Sequence, residues 1–168
     1  MNIEVKYQDI TQLGPEVDVI VNAANEALLG GGGVDGAIHD AAGPRLLEEC
    51  RTLGGCKPGQ AKATGAYNLK QKYIIHTVGP RYYSNPDPER TLRDCYRNSL
   101  VLADSLGCKC IAFPSISTGI FGYPVGDAAR ICIDELRRYN GKNLTSVIMC
   151  IFPGDRTRYE AYMEALGQ

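Results

Sequence analysis

One carboxylate set inside a glycine-rich stretch is the feature of this chain most able to do chemistry. Asn22-Ala23-Ala24-Asn25 leads into Gly30-Gly31-Gly32-Gly33-Val34-Asp35-Gly36, and Asp35 is the acid. A second segment, Ser115-Ile116-Ser117-Thr118-Gly119-Ile120-Phe121-Gly122, has similar character. Glycine-rich backbone can approach a phosphate closely, with helix N-terminal N–H groups aimed at it. Ser117, Thr118 and the backbone around Gly119 can donate to phosphate oxygens without any lysine. Asn25 carries both a donor and an acceptor, which suits a sugar hydroxyl. Phe121 and Phe152 offer flat apolar surfaces to a ribose and a base. Asp35 can position or deprotonate a water or hydroxyl, a role worth about 10²–10⁴-fold. His39 lies four residues further on, hence on the same helix face, and can hold that carboxylate in place.

Each of these residues alone also has a plainer reading. A glycine run is a mobile loop, Asn25 a turn or cap residue, Asp35 a helix N-cap and Phe152 a core side chain. His39 can equally be a structural histidine near a cap. His76, within Tyr73–Val78, reads as a satisfied strand residue rather than a catalyst. Only the joint occurrence favours a site.

The elements that must position these residues alternate between strand and helix patterns. Ile3–Tyr7 alternates apolar and polar, as a half-buried strand does. Val17–Val21 is nearly all β-branched, which suits a strand covered on both faces. Val34–Leu53 is helical in pattern but broken at Gly43-Pro44, giving two short helices. Ala61–Tyr67 and Tyr73–Val78 read as a strand pair. Glu89–Ser105 is a long amphipathic helix with Leu92, Tyr96, Leu100 and Ala103 on one face. Cys110–Pro114 is a strand, Asp127–Tyr139 a helix, Ser146–Phe152 the last strand and Arg156–Leu166 the last helix. This alternation implies an α/β layered sheet. In such sheets ligands bind at the carboxyl ends of strands. Asn22–Asp35, Ser115–Gly122 and Phe152–Asp155 all follow strands, so parallel strands would bring them to one crevice.

At 168 residues the chain is read as one domain over 1–168. Its composition, 44% hydrophobic and 22% charged, is that of a globular protein, and a formal net charge of −1 gives no field to attract nucleic acid or an anionic membrane. The seven cysteines form no CxxC pair and have two histidines for company, which reads as reduced, packed thiols in a cytoplasmic protein. A zinc site needs clustered ligands, and these are scattered. No apolar stretch approaches the ~20 residues that span a membrane. Gly31-x-Gly33-x-x-Gly36 matches the dinucleotide fingerprint in letters alone. The expected strand does not lead directly into it, and Gly54-Gly55-Cys56 stands where a ribose-binding acid belongs.

Three runs carry a resemblance across most of the chain: Asn-Ala-Ala-Asn, Gly-Gly-Gly-Val-Asp-Gly-Ala-Ile-His, and Pro-Ser-Ile-Ser-Thr-Gly-Ile-Phe-Gly-Tyr-Pro. The chain resembles the MacroD-type macrodomains, ADP-ribose-binding hydrolases, from about Asn2 to Leu166. The resemblance implies a three-layer α/β/α sandwich around a mixed six-stranded sheet. It implies that Asp9 meets the adenine amino group with the Ile10 backbone alongside, and that Phe152 packs on the adenine. Ser117, Thr118, Gly119, Ile120 and Phe121 would form the pyrophosphate loop. Ala24, Gly33, Val34 and Asp35 would border the site on the other side, with Asn25 on the distal ribose hydroxyls. Asn25, Asp35 and His39 are the implied catalytic set.

The implied activity is cleavage of acyl esters of ADP-ribose, on mono-ADP-ribosylated acidic side chains of proteins and on O-acetyl-ADP-ribose. No metal and no cofactor is implied, because Leu28–Ala42 lacks the cysteine of the zinc-dependent branch. The implied partners are ADP-ribose, its esters and mono-ADP-ribosylated proteins. Gln8 and Phe121 depart from the family's common glycine and tyrosine. The alternative is a reader module that binds ADP-ribose without cleaving anything, and Asp35 is the residue a pure reader would not need.

Overall fold

The computed structural model describes residues 1–167. Its six strands are β1 (Asn2–Tyr7), β2 (Val19–Ala24), β3 (Ala61–Gly65), β4 (Tyr73–Val78), β5 (Cys110–Phe113) and β6 (Ser146–Ile151). Five helices join them: α1 (Gly33–Ala42), α2 (Pro44–Arg51), α3 (Pro88–Ser105), α4 (Val125–Arg138) and α5 (Arg156–Leu166). The strands form one sheet in the order β1-β6-β5-β2-β4-β3. All neighbours are parallel except β3 and β4, which pair antiparallel.

Period-two alternation divides the core between the two faces of this sheet. Val19 and Val21 of β2 join Val147, Met149 and Ile151 of β6 in one cluster, under α3, α4 and α5. Ile20 and Ala24 join Ile148 and Cys150 in the other, under α1 and α2. The result is the α/β/α sandwich with a mixed six-stranded sheet that the resemblance implies. Pro44 opens α2 at its first position, where the missing N–H costs nothing, and Gly43 at φ 88° makes the break from α1.

The chain leaves β2 toward α1 on one face and leaves β5 toward α4 on the other. β2 and β5 are adjacent, so the loops beyond their ends diverge and open a crevice there. β6 lies next to β5, and its loop closes the crevice's far side.

Several strand ends differ by one to three residues from the sequence reading, and the shift at β2 is the one that matters for the site. The apolar run Val17–Val21 places the strand too early: pairing with β4 carries it through Asn22, Ala23 and Ala24. Val17 is buried yet lies outside the strand. Side-chain character marked burial, whereas backbone pairing set the ends. The consequence is functional, because Asn22 sits in the sheet with its side chain fully buried rather than in the glycine loop.

Candidate functional site

The crevice is a cleft of about 840 Å³, within the range of small-molecule sites. Asp9, Ile10, Ala24, Asn25, Gly33, Val34, Asp35, Ser117, Thr118, Gly119, Ile120, Phe121 and Phe152 all line it. Of the sequence-derived site residues only His39 does not; it stands behind Asp35.

The segment Ser117–Phe121 bends so that its N–H groups are left over. Gly122 N–H donates to Gly119 O at 3.0 Å and Tyr123 N–H to Ser117 O at 2.9 Å, which closes the turn. None of the five N–H groups from Ser117 to Phe121 donates to a protein acceptor among the described residues. Successive free N–H groups in a concave turn form an anion-binding nest. Ser117 adopts φ 65°, a left-handed conformation unusual outside glycine, and its buried hydroxyl has no partner. Facing the nest, α1 begins at a Gly32 cap that supplies no side-chain hydrogen bond. The first N–H groups of that helix are therefore free, at its electropositive end. Three carboxylates, those of Asp9, Asp35 and Asp155, line the cleft against one guanidinium, Arg158. An anion here is held mainly by backbone dipoles.

Arg158 was not foreseen, since it reads as one more charge on an ordinary C-terminal helix. Its Nη2 donates to Thr118 O at 2.6 Å and its Nε to Thr118 Oγ1 at 2.9 Å. Thr118 Oγ1 also shares a hydrogen bond with Ser115 Oγ at 2.6 Å, and Ser115 Oγ another with Tyr162 OH at 2.8 Å. Thr118's hydroxyl is thus engaged within the protein, and its N–H is what faces the cleft. Asp155 caps α5 through the Arg158 N–H and pairs with the Arg158 guanidinium.

Asp35 lies in the first turn of α1, where the helix dipole favours a negative charge. It is not the N-cap; Gly32 is. The Asp35 side chain is 7% exposed. Its Oδ1 accepts from Asn22 Nδ2 at 2.8 Å and faces His39 Nε2 at 3.4 Å. Its Oδ2 accepts nothing among the described residues and points past Gly31. A Cβ on Gly31 would stand 3.0 Å from that oxygen and 3.2 Å from Asn25 Nδ2, so glycine keeps this approach open. Asn25 Nδ2 donates to Gly30 O at 3.0 Å, and its buried Oδ1 has no partner. At this end the cleft thus holds a fixed carboxylate with a free oxygen, that of Asp35, beside the Asn25 amide with its unsatisfied oxygen.

At the other end, Asp9 caps the short 3₁₀ turn Ile10–Gln12. Its Oδ1 accepts from Thr11 N at 2.9 Å and from Thr11 Oγ1 at 2.8 Å. Phe152 is 66% exposed and Ile120 96% exposed, so the core reading of Phe152 is wrong. The phenyl ring follows the last residue of β6, where the chain has already left the packed layer. Phe121 carries the Arg81 guanidinium 4.4 Å above its ring. Gly79, just past β4, adds a fourth strand end to the cleft that sequence spacing did not indicate.

Among the described residues, no three His, Cys, Asp or Glu side chains converge as a metal-binding group. All seven cysteines are free thiols, and burial pushes Cys50 up to about 11 and Cys95 to about 12. No helix among these residues is long and apolar enough to cross a membrane.

Comparison with known proteins agrees with this geometry. Residues 21–132 match the model of the Macro domain family. Macro domain-containing protein CT2219 of Chlorobaculum tepidum is 55% identical over 94% of this chain and 91% of its own length. ADP-ribose glycohydrolase MACROD2 of Xenopus laevis is 54% identical over 86% of this chain, which spans 35% of that longer protein. The Oceanobacillus iheyensis macrodomain with ADP superposes with a TM-score of 0.91 at 41% identity, covering 98% of this chain and 90% of its own. The Trypanosoma brucei macrodomain in complex with ADP-ribose does so with a TM-score of 0.87 at 40% identity, covering 99% and 69%. With a family match that runs from β2 past β5 and takes in the loops after both, and relatives sharing half its residues, the chain belongs to the Macro domain family.

Proposed function

We propose that this protein binds ADP-ribose in the cleft and hydrolyses its acyl esters, on mono-ADP-ribosylated Asp or Glu of proteins and in O-acetyl-ADP-ribose. The observation that carries this reading is the state of Asp35. One carboxylate oxygen is tied down, the other is free, and both lie beside a nest suited to a diphosphate. Binding is further supported by the ADP and ADP-ribose complexes of the two macrodomains above, and hydrolysis by the glycohydrolase to which the chain is similar.

In this arrangement the adenine lies between Asp9, Ile10 and Phe152. The pyrophosphate rests on the free N–H groups of Ser117–Phe121 and of Gly33 and Val34. The distal ribose reaches Asn25, whose unpartnered Oδ1 accepts from a sugar hydroxyl, and Phe121 lies against its face. Asp35 Oδ2 takes a proton from a water attacking the acyl carbon. The acyl–oxygen bond then breaks, and the proton passes to the departing ribose oxygen. The products are a free carboxylic acid and ADP-ribose. His39 and Asn22 hold Oδ1 and keep Oδ2 aimed. No step needs a metal, so a chelator is expected to leave turnover unchanged.

The test is mass spectrometry of O-acetyl-ADP-ribose and of a Glu-modified protein, each incubated with the purified chain and with Asp35→Ala. Asp35→Ala is expected to cut turnover by about 10²–10⁴-fold while ADP-ribose affinity stays within several-fold. Undiminished turnover ends the general-base assignment. Tight binding with no turnover of either ester by the unaltered protein would favour the reader module instead.

A further inference from the structure

The buried histidine of β4 plays no part in the chemistry just described, yet its contacts lead to Asp35. Asn22 and His76 are cross-strand partners in the β2–β4 register, so their side chains share the sheet face under α1 and α2. Asn22 Nδ2 lies 2.8 Å from Asp35 Oδ1 and 3.1 Å from His76 Nδ1. An amide nitrogen has two hydrogens, and each meets one of these acceptors. His76 Nδ1 must then be bare, and the ring proton must sit on Nε2. Thr64 Oγ1 is there to receive it at 2.9 Å, and its own proton goes to Gly65 O at 3.0 Å. Gly65 N–H in turn donates to Glu49 Oε1 at 3.0 Å, which ties this end of β3 to α2.

We propose that His76 is a positioning residue for ester cleavage, acting through Asn22 to determine which oxygen of Asp35 is free. This rests on the hydrolase reading above. The amide of Asn22 has two orientations. With Oδ1 turned toward Asp35 it would face a carboxylate, and with Nδ2 turned away from His76 the bare Nδ1 would lose its donor. The neutral, Nε2-protonated ring selects one orientation, and that orientation pins Asp35 Oδ1 from below while His39 Nε2 faces it from the same helix. Asn22 Oδ1 is left buried and unpartnered. An alanine-like core position would leave no such orphan; the amide is kept for its nitrogen.

The groups facing His76 keep it in this form. Asn22 approaches on the Nδ1 side, with Asp35 beyond it, and Thr64 on the Nε2 side. Cys50 Sγ stands 3.9 Å from Nε2 as a protonated thiol, and His39 is the nearest other imidazole. Burial, then the His39 ring, pulls His76 down to about 4, so it is uncharged at neutral pH.

Two substitutions separate this role from plain packing. His76→Leu fills the space and removes both nitrogens. His76→Asn places an amide oxygen where Nδ1 was and restores the acceptor for Asn22. Losing a hydrogen bond that orients a charged group corresponds to about a 10–100-fold effect. The expected result for His76→Leu is a kcat lowered by about that factor, with the ADP-ribose dissociation constant within about threefold, and recovery of most of kcat in His76→Asn. Thr64→Val, which leaves the ring in place but takes away its Nε2 partner, lowers kcat in the same direction.

Imidazole ¹⁵N NMR of the unaltered protein is a readout that does not require turnover. It is expected to show His76 protonated on Nε2, with an Nδ1 signal that moves when Asn22 is changed to Ala. A folded His76→Leu with unchanged kcat overturns the proposal, as does a parallel fall of kcat and affinity or the opposite tautomer. An unaltered protein inert toward both esters overturns the hydrolase reading, and the tautomer then decides the hydrogen-bond relay separately.

Discussion

Gly79→Ala tests the site through a residue that touches no catalytic group. Gly79 follows β4 and lies against the loop that offers its N–H groups to an anion. A Cβ there would stand 2.1 Å from Ser117 Oγ, 2.7 Å from Ile116 Cγ2 and 3.3 Å from Ser117 Cβ. The hydroxyl can rotate away at little cost, because it has no partner to lose. The Ile116 methyl cannot: the side chain is fully buried and β-branched, with a strongly restricted χ1. A carbon pair at 2.7 Å is about 0.8 Å inside the usual 3.5 Å contact. The backbone has little slack to absorb this, since Ser117 is already left-handed.

Overpacking of this kind costs about 1–3 kcal/mol, which for a chain of this length lowers the melting temperature by roughly 2–12 °C. The loop must move by a comparable distance, and losing one charge-assisted N–H contact weakens binding by about 10–100-fold. Calorimetric titration with ADP-ribose and a thermal scan read the two effects. Adding Ser117→Gly removes two of the three contacts and the left-handed penalty, so it should recover part of both losses. Wild-type affinity together with a wild-type melting temperature in Gly79→Ala would refute the assignment of this loop to the phosphates.

Three further outcomes are expected. Arg158→Met removes both hydrogen bonds to Thr118 and the guanidinium in the cleft; ADP-ribose binding should weaken about tenfold and become less sensitive to salt, as titrations at two ionic strengths would show. Phe152→Ala should leave the melting temperature unchanged, because the ring is mostly exposed. It should nevertheless weaken ADP-ribose by about 10–100-fold through lost base stacking while sparing ribose 5-phosphate, and calorimetry with the two ligands separates these effects. His76 should make folding acid-sensitive: its site value is about 4 against 6.5 in the free side chain, so the unfolded chain binds the proton first. The stabilisation is complete above pH 6.5, is lost as pH falls toward 4, and amounts to about 3 kcal/mol. Urea unfolding at pH 7, 5.5 and 4.5 should show that slope, and His76→Asn should lack it.

The sequence alone determined the α/β alternation and the two glycine loops that face each other across the cleft, while the three-layer sandwich and the mixed six-stranded sheet came from the family resemblance. Those signals are local: β-branched runs, helical spacing, a Gly-Pro break and glycines next to phosphate-competent side chains. The helix bounds at α3 and α5 agree with the sequence reading within a residue, and caps set them: Asp87 with Pro88 opens α3, and Asp155 and Gly167 bound α5. The position of Asp35 beside His39 was legible too, since four residues on a helix always share a face.

What only the tertiary structure decided is everything set by contacts between distant segments. Asn22 meets His76 because β2 pairs with β4 in one register, and no spacing along the chain encodes that register. Arg158 reaches Thr118 across forty positions, and Gly79 matters only because Ser117 is packed against it. Phe152 looks like core in a list of residues and proves exposed because the strand ends one residue earlier. Composition and periodicity report how each segment meets solvent, whereas the site depends on which segments meet each other, and that is fixed by the packing of the whole sheet.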